Sequence, residues 1–192
     1  RPSHIEYFDK ERNRLFDFDA DLSIAGNYSR AKPQKRFEMR LYNHYGLSQI
    51  NFPLIPDKPC KDVYDDILLR NSGTDWNKVH FRDAFMERMM KPTYSGYIAA
   101  EPAVGFLNGS FWGVYTIHEK HDNTWVKDNI GLSNSEMNLL EETGSTIATL
   151  KGSDQFFWQV YNFTRTNSPT SSTYYDWLDQ HINLKNYTDY FI

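Results

Sequence analysis

Pro33-Gln34-Lys35-Arg36-Phe37-Glu38-Met39-Arg40-Leu41-Tyr42 is the stretch on which the fold turns. Its side chains alternate. Lys35, Phe37, Met39 and Leu41 fall on one side of an extended chain, and Arg36, Glu38, Arg40 and Tyr42 fall on the other. That period predicts a strand over 35–42 with one face on a core, and it aims Lys35 inward. Just upstream, Gly26-Asn27-Tyr28-Ser29-Arg30-Ala31-Lys32-Pro33 combines small and basic residues and reads as a loop.

Working outward, Ile5, Tyr7, Leu15, Phe16, Phe18, Leu22 and Ile24 predict short strands within 4–24, separated by the polar turn Asp9-Lys10-Glu11-Arg12-Asn13. Residues 43–61 are loop, punctuated by Pro and Gly. A helix is expected near 64–69. A longer one is expected over 76–91, with Asp75 as its N-cap. A hairpin at 103–117 turns on Asn108-Gly109, a pair suited to the two positive-φ positions of a type I′ turn. The pattern beyond His118–Asn123 becomes mostly helical: helices over 125–130, 156–163 and from 174, and a short strand at 137–140. The order of strands, helix, hairpin and helices predicts an α+β fold. It divides into a β-rich first part, residues 1–120, and a helical second part, 121–192.

Bulk composition excludes several classes. A formal charge of −4 gives no general attraction to nucleic acid or to an anionic membrane. Aromatics at 16 % with charges at 24 % argue for an ordered chain and against disorder. No apolar run approaches the roughly 20 residues of a spanning helix. With Cys60 as the one cysteine, no intrachain disulfide forms. The chain opens on Arg1-Pro2 without a signal core and closes on Tyr190-Phe191-Ile192 in an amphipathic pattern. It is therefore expected to be a segment of a longer protein.

Four groups could carry chemistry. Lys35 has two readings: a point charge set against phosphate oxygens, or a strand-end lysine snorkelling to water. The loop before it offers backbone N–H groups, the Ser29 hydroxyl and the Arg30 guanidinium, which suit an anion. It is equally an ordinary turn, because neither the Walker pattern nor the kinase glycine triplet is present. Arg82 and Asp83 lie in or beside apolar helix stripes, where charges are expensive unless paired. Asp83 is thus a candidate partner for Lys35, or half of a structural Arg–Asp pair. His118-Glu119-Lys120-His121 lacks the zinc HExxH spacing, so no metal ligands are assigned. Glu119 continues the face of Tyr115 and Ile117 and is read as lining a cleft at a hinge.

The ordered set of strings is similar to the CotH family. It comprises Gly26-Asn27-Tyr28-Ser29-Arg30, Pro33-Gln34-Lys35-Arg36-Phe37, Tyr45-Gly46 and Ile67-Leu68-Leu69-Arg70-Asn71. Asp75, Arg82-Asp83-Ala84, Leu107-Asn108-Gly109, Trp112-Gly113-Val114-Tyr115, Glu119 and the helix from Asp179 to Tyr190 follow in order. The resemblance implies an atypical kinase-like fold, with a β-rich N-lobe containing one main helix and the start of an α-rich C-lobe. It implies ATP, Mg²⁺ or Mn²⁺, and transfer of the γ-phosphoryl group to a hydroxyl of a protein substrate, at a secreted, cell-surface or spore-surface location. By position, Lys35 would hold phosphates with Ser29 and Arg30 in the phosphate-facing loop. Glu119 would line the nucleotide cleft, and Arg82 and Asp83 would buttress the lysine. The family's metal-binding aspartates are expected beyond Ile192, leaving this segment inactive alone. The alternative is a non-catalytic surface, spore-coat or adhesion module that keeps the fold.

Overall fold

Alternating side chains and a tight polar turn build the first two strands, β1 (Pro2–Phe8) and β2 (Arg14–Ile24). Between them Asp9 accepts from the Asn13 backbone N–H at 2.8 Å and from its side-chain amide at 3.0 Å, which fixes the reversal. The computed structural model describes residues 1–93 and 95–191. In order there follow β3 (Phe37–Arg40), β4 (Ile50–Asn51), β5 (Val63–Tyr64), β6 (Asp66–Arg70), α1 (Arg82–Met90), β7 (Ala100–Leu107) and β8 (Ser110–His118). After these come α2 (Asn123–Ile130), β9 (Leu139–Thr143), β10 (Thr146–Lys151), α3 (Gln155–Thr166), α4 (Tyr174–His181) and α5 (Leu184–Asp189). The class is α+β. Six antiparallel strands form one sheet in the order β1-β2-β3-β6-β8-β7, and two small hairpins stand apart from it.

The chain forms two compact units: residues 1–89 with 98–120, and residues 90–97 with 121–192. The first unit holds the large sheet. Phe18, Ala20, Met39, Leu41, Ile67, Tyr115 and Ile117 are buried on its apolar face, together with Leu54 and Ile55 from the irregular stretch 52–62. The second unit holds the remaining helices and the β9–β10 hairpin. In it Asp122 caps α2 by accepting from the N–H groups of Thr124 (2.9 Å) and Trp125 (3.2 Å). Among the described residues no helix is long and apolar enough to cross a membrane.

Three expectations are corrected. The segment read as a helix near 64–69 is strand β6, central in the sheet. Ile67 and Leu68 are both buried, so a strand covered on both faces shows an apolar run instead of alternation. The strand expected over 35–42 is regular only at Phe37–Arg40, so Lys35 precedes it. The helix expected over 76–91 begins at Arg82, and Asp75 does not cap it. Asp75 ends a 3-10 turn instead, and Trp76 is held by its indole N–H donating to Gln34 Oε1 at 3.1 Å. This tertiary bond overrides local helix preference. The 103–117 hairpin turns where expected, with φ of 50° at Asn108 and 77° at Gly109.

Candidate functional site

The loop before β3 is built, not slack. Residues Tyr28–Ala31 form a 3-10 turn. Gly26 opens it at φ 91°, and a Cβ there would collide with Ser29 Oγ and reach within 3.6 Å of Arg36 Cδ. Lys35 Nζ donates to the carbonyls of Arg30 (2.8 Å) and Lys32 (2.7 Å), so the amine gathers the loop's own oxygens. The Arg30 guanidinium donates to the carbonyl of Ile24 at 3.1 Å. From the other side Asn71, at 0 % exposure, donates to the carbonyls of Gln34 and Ser29 and accepts from the Gly73 N–H. Gln34 in turn donates to Val114 O at 2.7 Å.

Beside this loop lies the charged face of the sheet. The register pairs Glu38 with Leu68, Leu68 with His118, and Arg70 with Thr116. The β3–β6 register, continued one residue past Phe37 and Leu69, sets Arg36 opposite Arg70 on that same face. Asp83, in the first turn of α1, reaches this face. Its Oδ1 accepts from Arg70 Nη2 at 3.0 Å, and its Oδ2 lies 3.4 Å from His118 Nε2. The latter contact is too poorly aligned to count as a hydrogen bond, and His118 Nε2 is buried without one. His118 Nδ1 lies 2.8 Å from the carbonyl oxygen of Glu119. That oxygen can only accept, so Nδ1 carries a proton. The Asp83 carboxyl is held below the usual carboxylate range, first by the imidazole beside it and then by Arg70 and Arg36; burial opposes this.

Further along the same face Glu38, nearly buried, lies 2.9 Å from Arg40 and 3.2 Å from Lys120, and Lys120 also reaches Asp66 at 2.9 Å. Burial lowers the Lys120 pKa, but the two carboxylates outweigh it and the net shift is upward.

Comparison with family models supplies the relationship. The model described as CotH kinase protein matches residues 22–192. The chain belongs to the CotH kinase family. Comparison with curated proteins and with solved structures returned no match.

Within this CotH domain the structure brings Ser29, Arg30 and Lys35 together at one loop and sets Asp83 elsewhere. Asp83 bonds to Arg70 and not to Lys35, because α1 starts over the face that carries the even-numbered residues of β6 and β8. Arg82 pairs with Asp75, Nε to Oδ2 at 2.8 Å, and buttresses the 3-10 turn instead of the lysine. Glu119 is enclosed, its side chain 1 % exposed. Its Oε2 takes the Lys58 amine at 2.8 Å and the Ala99 N–H at 2.9 Å, while Oε1 has no hydrogen-bond partner among the described residues.

Sequence reasoning missed Arg36 and Arg70, and weighed His118 only as a metal ligand and not as a neighbour of Asp83. The signal was present in the alternation, since Arg36 and Glu38 fall on the same side of the extended stretch, but no role was assigned to that side. The CotH family also implies a divalent cation. Among the described residues no group of three or more His, Cys, Asp or Glu side chains converges as a cation site, so the cation is assigned no ligand here.

Proposed function

We propose that this CotH domain binds ATP at the loop 26–35 and contributes to transfer of the γ-phosphoryl group to a hydroxyl on a protein substrate. The observation that carries this reading is the pinned loop. Lys35 and Asn71 tie the carbonyls of Ser29, Arg30, Lys32 and Gln34 inward, which preorganises the turn beside a cationic patch. Phosphoryl transfer needs positioning and positive charge more than it needs covalent groups from the protein. In this reading the loop backbone and Ser29 approach the phosphates. Lys35 offers them the one N–H that it does not give to the loop, and Arg30 braces the loop against the end of β2. Asp83 orients Arg70, and Glu119 fixes the 58 region against the start of β7. The cation supplies charge neutralisation when bound. A location at a cell or spore surface, with a coat or surface protein as substrate, belongs to the same proposal.

Thermal unfolding with and without ATP and Mn²⁺ tests it. The expected result is a nucleotide-dependent rise in Tm that falls at least several-fold in apparent affinity for Lys35→Met. No rise in the wild-type chain, or an undiminished rise in Lys35→Met, removes the loop from nucleotide binding. A rise without phosphorylation of any protein by the full-length protein favours the non-catalytic surface module.

A further inference from the structure

Arg36 makes no ion pair among the described residues. It is half-buried, and its Nε is fully buried without an acceptor among those residues. A guanidinium withdrawn from water in this way is expensive, and folded proteins rarely leave one unpaired. Glu38 and Asp83 attract it through space without making an ion pair with it. Arg70, opposite it in register, is also cationic and gives its Nη2 to Asp83, while its own Nε is buried and unpartnered. Glu38 is taken by Arg40 and Lys120, and Asp66 by Lys120. Four cations on this face (Arg36, Arg40, Arg70 and Lys120) meet three carboxylates (Glu38, Asp66 and Asp83), and the surplus falls at Arg36. Burial and then the nearby Arg70 push the Arg36 pKa down, Glu38 and Asp83 push it up by less, and the net shift is downward. The basic residues that the sequence first offers are committed elsewhere, Arg30 to Ile24 O and Lys35 to two loop carbonyls.

We propose that Arg36 and Arg70 form a two-armed anion site beside Gly26 and Ser29, and that its ligand is a phosphoryl oxyanion of a polyphosphate chain. Arg36, just before β3, and Arg70, at the end of β6, are neighbours by register, so their guanidinium forks are placed to share one ligand. A tetrahedral phosphoryl group can accept from both at once, with a full negative charge against the surplus positive one. Asp83 and His118 then position Arg70 and do not touch the ligand. In identifying the polyphosphate as that of a nucleotide, the inference rests on the function proposed above. The anion site itself does not.

The test is thermal unfolding and calorimetric titration of the chain with sodium tripolyphosphate, and separately with ATP plus Mn²⁺. Sodium acetate at matched ionic strength is the reference. The wild type is expected to be stabilised by tripolyphosphate and not by acetate. Arg36→Gln and Arg70→Gln are each expected to weaken tripolyphosphate binding tenfold or more, and Arg14→Gln, in a distant exposed pair with Glu6, is expected not to. Arg36→Gln also relieves the unpaired charge, so its anion-free Tm is expected to rise by about 2–4 °C. A purely structural arginine would lower it instead. Arg36→Lys retains the charge without the fork and covers the case in which the glutamine variant folds poorly; it too is expected to bind at least several-fold more weakly. Undiminished tripolyphosphate binding in Arg36→Gln, or an equal response to acetate, overturns the site. Response to tripolyphosphate but not to ATP keeps the anion site and sinks the nucleotide reading. Response to ATP that is insensitive to Arg36 and Arg70 keeps the nucleotide reading and sinks this inference.

Discussion

Asp83 Oδ1 lies 3.0 Å from Nη2 of Arg70, joining the first turn of α1 to the end of β6. This contact joins the helix to the charged face, where Asp83 also lies beside His118. The folded-state pKa of Asp83 is depressed, chiefly by the His118 imidazole. Its contribution to stability is therefore complete above the unfolded-state value of about 4 and is lost as pH falls through the lower folded-state value. Asp83 is 38 % exposed, so Asp83→Asn is expected to cost only about 1 kcal/mol at pH 7. Urea unfolding at pH 7 and pH 3 should show the gap between wild type and variant closing at the lower pH. A constant gap would remove the carboxylate's charge from the account.

Asn71 holds three backbone groups of two segments and is completely buried. Asn71→Ala strands the Gln34 carbonyl and the Gly73 N–H, while the Ser29 carbonyl keeps the Lys32 N–H, with an expected loss of about 2–3 kcal/mol. Amide exchange should accelerate through residues 29–34 by more than it does in β1. A loss spread evenly over the sheet would mean that Asn71 does not pin the loop.

Glu119 and Lys58 meet at 2.8 Å with side chains 1 % and 13 % exposed. Removing the carboxylate takes a charged partner from Lys58 and the acceptor from the Ala99 N–H, and Glu119→Ala is expected to cost about 1–3 kcal/mol. Glu119→Gln retains an acceptor for the Ala99 N–H and should lose less. Equilibrium denaturation ranks the two, and equal losses would show that the charge itself contributes nothing.

Gly105 faces the ring of Tyr115, and a Cβ there would sit 2.8 Å from two ring atoms. Tyr115 is 2 % exposed and has no room to retreat. Gly105→Ala is expected to destabilise by about 1–3 kcal/mol through overpacking, read as a lower urea midpoint with an unchanged slope. A neutral substitution would show that β7 shifts freely at its register irregularity.

Much of the β framework was legible because local rules sufficed. The reversal at 9–13, the alternation at Phe37–Leu41 and the Asn108-Gly109 turn each rest on a few adjacent residues. The central strand β6 was not legible: Ile67 and Leu68 are both covered, and an apolar run carries no period that separates strand from helix. The start of α1 was misplaced because a bond from Trp76 to Gln34, 42 residues away in sequence, decides it.

The site divides in the same way. The sequence by itself determined the family, the loop 26–33 and the presence of Lys35 beside it, since composition and order of residues carry these. Only the tertiary structure decided how the charged groups pair. Lys35 and Arg30 turn back onto carbonyls, Asp83 chooses Arg70, and Arg36 enters no ion pair among the described residues. Charge pairing depends on distances of 3–4 Å between strands far apart in sequence, and no local pattern records those distances.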